Sequence, residues 1–173
     1  MRWFSHFEVL FCFVFLGCAP SALSWGPRST STGMEELPGA GFNVHILLSP
    51  KAKARLNESQ ELIVVRGYLT GTPKAHAPER FINEMGEIDL GEVGAEIKPD
   101  KDASFKKLKV ERQALAQTDM KDPKLLINVF SARRSVKDNL LDCGIYQGSL
   151  KPVQGTTVQI TCQLIGESGG SVK

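Results

Sequence analysis

Residues 42–48 alternate apolar and polar side chains, with Phe42, Val44, Ile46 and Leu48 on one parity and Asn43 and His45 on the other. A period of two puts such a set on one face of a β-strand. A second β-branched run follows at residues 61–69 (E-L-I-V-V-R-G-Y-L). Between them Ser49-Pro50 has the form of an N-cap with proline at the first helical position, which predicts one or two turns ending near Asn57. Further strands are expected at residues 87–90, 104–110, 124–132, 140–149 and 156–165, about seven in all, with a second short helix at 111–117. Residues 125–130 (L-L-I-N-V-F) are apolar on both parities and predict a central strand covered on both faces. Short strands separated by Gly/Pro turns, without long helices between them, imply an all-β fold. The expected form is an antiparallel β-sandwich, immunoglobulin-like or transthyretin-like, with one or two short helices.

The last two strands carry a sharper expectation. If the chain folds back about Pro152 and Val153, Leu141 meets Leu164, Cys143 meets Cys162 and Ile145 meets Ile160. All six then share one face, while Thr157, Gln159, Thr161 and Gln163 occupy the other. Opposed residues of an antiparallel pair lie about 4.5–5.5 Å apart at Cα, within the range a disulfide needs. A Cys143–Cys162 disulfide is therefore predicted for an oxidising compartment.

The compartment is suggested by residues 9–16 (V-L-F-C-F-V-F-L), an uncharged run too short to span a bilayer and of the length of a signal-peptide core. Two exits are open. Ala22-Leu23-Ser24 precedes Trp25 as an ordinary cleavage site, whereas Phe15-Leu16-Gly17-Cys18 resembles a bacterial lipobox that would make Cys18 the acylated N-terminus and a membrane anchor. The expected organisation is a signal peptide over 1–24, a flexible linker over 25–41, a sandwich domain over 42–166 and a flexible tail over 167–173. The 21 Lys+Arg against 19 Asp+Glu leave a formal charge of +2, which argues against a polyanion-coating protein and leads us to expect no nucleic-acid partner.

Catalytic and metal motifs are sparse. Residues 87–92 (E-I-D-L-G-E) match the E-x-D-x-x-E pattern of certain jelly-roll glycoside hydrolases. That resemblance would make Glu87 and Glu92 nucleophile and acid/base, brought to one face by a bulge at Gly91. The chain nevertheless has no tryptophan after Trp25 to line a sugar cleft. Residues 166–170 fit G-x-S-x-G but have no helix after them. Asp100 and Asp102 lack the glycine and glutamate of a calcium loop, and His45 and His76 lie too far apart in sequence for a zinc motif. No cofactor or metal is expected, and no catalytic residue.

The segment 131–139 joins the most apolar strand to the disulfide hairpin and gathers Arg133, Arg134, Lys137, Asp138 and Asn139, with Asp142 at its edge. A charged loop between rigid elements is the expected site of partner contact. The reading is an exported interaction or accessory module, periplasmic or lipid-anchored, whose partner is another envelope protein. A small carbohydrate-active enzyme and a small inhibitor or immunity protein are the alternatives. The order strand, short helix after Ser-Pro, strand (V-V-R-G-Y-L), behind a lipobox-like segment, resembles transthyretin-like lipoproteins of secretion machines, over about 30 residues.

Overall fold

The computed structural model describes residues 33–167. The signal-peptide run, Cys18 and the tail beyond Glu167 lie outside the described residues. Ten strands and two helices follow one another as β1 Met34–Leu37, β2 Phe42–Leu48, α1 Pro50–Glu58, β3 Ile63–Pro73, β4 Ile88–Ile97, β5 Ala103–Phe105, β6 Leu108–Glu111, α2 Arg112–Gln117, β7 Thr118–Ser131, β8 Leu141–Cys143, β9 Tyr146–Ser149 and β10 Thr157–Leu164. One four-stranded sheet has the order β5-β2-β10-β8 and another the order β4-β3-β7-β9, with β1 and β6 forming a two-stranded ribbon. All pairings are antiparallel except that of β2 with β10, which is parallel. Phe42, Val44 and Ile46 of the first sheet share one core with Ile63, Val65, Leu125, Ile127 and Val129 of the second. The architecture is thus mostly β and consistent with the expected sandwich.

The alternating run 42–48 forms β2 with Phe42, Val44 and Ile46 buried, as its period requires. Helix α1 starts where Ser49-Pro50 predicts it, with Ser49 Oγ accepting from the Ala52 amide at 3.0 Å. Its Ala52 and Leu56, one turn apart, are fully buried.

Several boundaries differ from the sequence reading. The expected linker contains β1, which pairs with β6 from Met34↔Glu111 to Leu37↔Leu108, and Ala40 is buried, so order begins before Phe42. The single strand expected at 104–110 is two strands in different sheets. Phe105 and Leu108 are both buried but have opposite parity, and one strand cannot turn both inward. The strand expected at 140–149 likewise divides. Leu141, Cys143, Cys162 and Leu164 pair in the predicted register, but the chain leaves β10 after Cys143. Ile145 therefore does not meet Ile160; it is 60% exposed, and β9 joins β7 in the opposite sheet. Strand β7 is interior in its sheet, flanked by β3 and β9, yet it is covered on one face only. Leu125, Ile127 and Val129 are buried, whereas Leu126 and Phe130 are partly exposed and Asn128 is exposed.

Gly91 and Gly71 are among the positions where the geometry requires glycine. Gly91 has φ +138° and sits at a register shift, where Leu69 pairs with Gly91 and Thr70 with Asp89, so the bulge predicted there is present. At Gly71 a Cβ would fall 2.2 Å from Cγ2 of the buried Thr118, which leaves room for no side chain.

Candidate functional site

The site begins at the end of α1. Gln60 takes a left-handed conformation (φ +55°), its amide donates to the Asn57 carbonyl at 3.2 Å, and the next amide, that of Glu61, donates to the Leu56 carbonyl at 2.8 Å. This is a Schellman closure with glutamine where glycine is usual. It turns the chain sharply and sets Glu61 beneath the segment 132–140, where only 1% of the residue is exposed.

The Glu61 carboxylate gathers that segment around itself. It accepts from the amides of Arg134 (3.0 Å), Ser135 (2.9 Å) and Val136 (3.0 Å) and from the Ser135 hydroxyl (2.8 Å). Arg133, immediately before these amides, has φ +58°, and the turn it makes lets consecutive N–H groups converge on one anion. Burial pushes the Glu61 carboxyl up, but the amides of Arg134, Ser135 and Val136 and the Ser135 hydroxyl more than offset it and hold the group at about 2, against an ordinary 4.5.

Asn139 closes the base of the loop. Its Oδ1 accepts from the Ser131 amide (2.9 Å), the Ser131 hydroxyl (3.1 Å) and the Leu141 amide (3.2 Å), while its Nδ2 donates to the Leu141 carbonyl at 2.7 Å. The Ser131 hydroxyl also accepts from the Leu140 amide at 2.9 Å. Cys143 and Cys162 are joined as a disulfide with a Cα separation of 4.1 Å, bracing the strand that leaves the loop.

The predicted contact residues thus divide by role. Asn139 is a structural clamp, and Arg134 is engaged by Glu96 of β4, its Nε and one terminal nitrogen donating at 3.3 and 2.8 Å. That ion pair is open to solvent, where water and salt screen it. Asp142 accepts from Gln163 Nε2 at 3.3 Å. Arg133, Lys137 and Asp138 are exposed and carry no ion pair to the described residues. An open cleft of about 440 Å³ lies beside Arg133, lined in part by Asn128, Phe130, Arg133, Asn139, Asp142 and Cys143.

Glu87 and Glu92 each have a cation of their own. Glu87 accepts from Lys124, which lowers its carboxyl below the ordinary value with help from the Thr70 hydroxyl. Glu92 accepts from Arg66 at 2.8 Å. The Lys124 ammonium and the Thr70 hydroxyl both favour the ionised form of Glu87. His45 lies near the surface against Asp102 at 2.7 Å. Among the described residues no cluster of three His, Cys, Asp or Glu side chains is placed to hold a metal, and no helix is long and apolar enough to cross a membrane.

Sequence reasoning misses Glu61, which reads as the first residue of a strand. A lone acid between a helix end and a β-branched run carries no pattern that separates a solvated carboxylate from a buried one. Fold and site together give a mostly β domain, consistent with a sandwich, that is braced by one disulfide and carries a charged surface loop pinned by one buried carboxylate. Compared with protein families, with curated proteins and with solved structures, the chain matches none.

Proposed function

We propose that the protein is an exported interaction or accessory module, of immunoglobulin-like or transthyretin-like form, that binds another envelope protein through the loop 132–140 and does no catalysis of its own. The observation that carries this is the pre-ordering of the loop by Glu61. Three backbone amides and the Ser135 hydroxyl donate to a buried carboxylate and fix the loop, and Arg133, Lys137 and Asp138 project from it into solvent. Ordering a loop on binding costs affinity, so a loop ordered in advance keeps more of its contact energy. Arginine is enriched among residues that dominate interfaces. Two four-stranded sheets over one core, with consecutive strands β8 and β9 placed in opposite sheets, support the immunoglobulin-like or transthyretin-like form.

Replacing Arg133 by Asn, which tolerates the left-handed backbone, together with Lys137 by Ala, should weaken binding about tenfold or more if either residue is a hot spot worth about 2 kcal/mol. The measurement is Kd by surface resonance for an envelope protein first recovered with the unmodified chain. The melting temperature should stay unchanged, because both side chains are exposed. Undiminished affinity in the double variant would show that the loop does not make the contact.

Export is supported by the short apolar run at 9–16 and by the disulfide, which forms and persists in oxidising compartments. Mass spectrometry of the native N-terminus should find either diacylglyceryl-Cys18 or Trp25. An intact Met1 on soluble protein would overturn both forms of the proposal.

A further inference from the structure

At Gly144 the chain passes from one sheet to the other, and the split leaves two strand edges facing one cleft. The ladder between β7 and β9 runs from Lys124↔Ser149 to Ile127↔Tyr146 and stops. Continued, it would set Val129 opposite Gly144 and Phe130 opposite Cys143. Instead Cys143 pairs with Cys162, and the Gly144 amide donates to the Thr161 carbonyl at 2.9 Å.

Strand parity shows where the backbone groups left behind are aimed. The Ala132 amide donates to Leu62 on the β3 side, at 2.8 Å, whereas the Ser131 amide donates to Asn139 on the other. Residues along a strand alternate in this respect, so the N–H and C=O of Val129 also face away from β3. On β8 the Gly144 amide and the Leu140 carbonyl both engage β10, which turns the N–H and C=O of Leu141 and Cys143 the other way. Asn139 answers those of Leu141. No described strand is hydrogen-bonded to Val129 or Cys143 on that side, and both residues line the cleft of about 440 Å³. Strand edges in this state are templates for a further strand.

The cleft also has a matched chemical end. Arg66 and Arg134 are paired with Glu92 and Glu96. Arg133, on the rim, has no such carboxylate among the described residues. The free edge of β7 is three residues long, closed by β9 at Ile127 and by the Asn139 clamp at Ser131. An edge this short offers the backbone groups of Val129 alone, and a single extended segment is the smallest element that can meet them.

We propose that this cleft takes up an extended segment of a partner polypeptide, added as a β-strand along Asn128–Phe130, with an acidic side chain of the segment held by Arg133. The proposal rests on the reading of the adjoining loop as a partner contact and names what the partner must supply.

The test uses a pool of ten-residue peptides of Val, Thr, Ser and Ile carrying a single Asp at each position in turn, titrated against the purified protein. Saturable binding is expected for one Asp register, with hydrogen exchange of the Val129 amide slowed at least tenfold. N-methylation of the bound peptide at alternate residues should abolish binding for one parity and spare the other, the signature of a strand. Arg133→Asn should weaken the Asp peptide at least tenfold and leave an all-neutral peptide unaffected. Equal binding of both N-methylated series would overturn strand addition while leaving the loop contact standing. No saturable binding by any peptide overturns it as well, and Val129 protection that appears with protein concentration alone would overturn it in favour of a second copy.

Discussion

Lowering the pH from about 5 to about 2 is expected to remove roughly 3 kcal/mol of stability, through Glu61 alone. Its carboxyl is held at about 2 in the folded chain against an ordinary 4.5. A group whose folded value is depressed contributes stability that is fully present above the unfolded value and lost as the pH falls through the folded one. The window therefore opens near 4.5 and closes near 2. Glu87 and Glu167, lowered chiefly by the Lys124 ammonium and the Ser49 hydroxyl respectively, act in the same direction. Glu61→Gln should cost about 3 kcal/mol at neutral pH, because an amide presents one acceptor oxygen and its NH₂ group faces donors. Urea midpoints for both proteins at several pH values check this. The variant should be less stable at pH 7 and show a flatter dependence between about pH 5 and pH 2. A variant as stable as the parent, with the acid slope intact, would show that Glu61 does not hold the loop.

The second large effect is expected from the disulfide. Cys143 and Cys162 are separated by 19 residues and close the loop that contains β9. In the chain-entropy account, a closure of this length stabilises by about 3 kcal/mol, mainly by restricting the unfolded chain. Reduction, or Cys143→Ser, should accordingly lower the melting temperature by about 10 °C for a domain of this size while leaving the fold intact. The fold should survive because β8 is only three residues long and the shared core draws chiefly on other strands. Thiol labelling of the unreduced protein unfolded in denaturant should detect neither residue, because both sulfurs are held in the disulfide. Full labelling of both thiols would refute the pairing.

Short-range patterns are the legible part of this chain. The two-residue period of 42–48, the Ser49-Pro50 cap, the bulge at Gly91 and the Cys143↔Cys162 register are each set by neighbours along one strand or across one turn. Parity decides which side chains face the core, and parity is written in the order of residues. Hence β2, the start of α1 and the disulfide all follow from local order. The same logic fails where parity or sheet changes without a turn signal. Between Phe105 and Leu108 the apolar set shifts phase across Lys106 and Lys107, after Cys143 the chain leaves its sheet at Gly144 although Ile145 keeps the phase, and each expected strand is two in different sheets.

The candidate site is legible as a place and illegible as a mechanism. The amino-acid order alone determined that a charged loop joins a buried strand to a disulfide-braced one, because composition and periodicity are properties of contiguous residues. Tertiary structure alone decided that Glu61, more than 70 residues before the loop, is the anion that organises it. It likewise assigned Arg134 to Glu96 and left Arg133 to face the cleft. These outcomes depend on which backbone amides converge and on which charges are removed from water, and both are fixed by packing between distant segments.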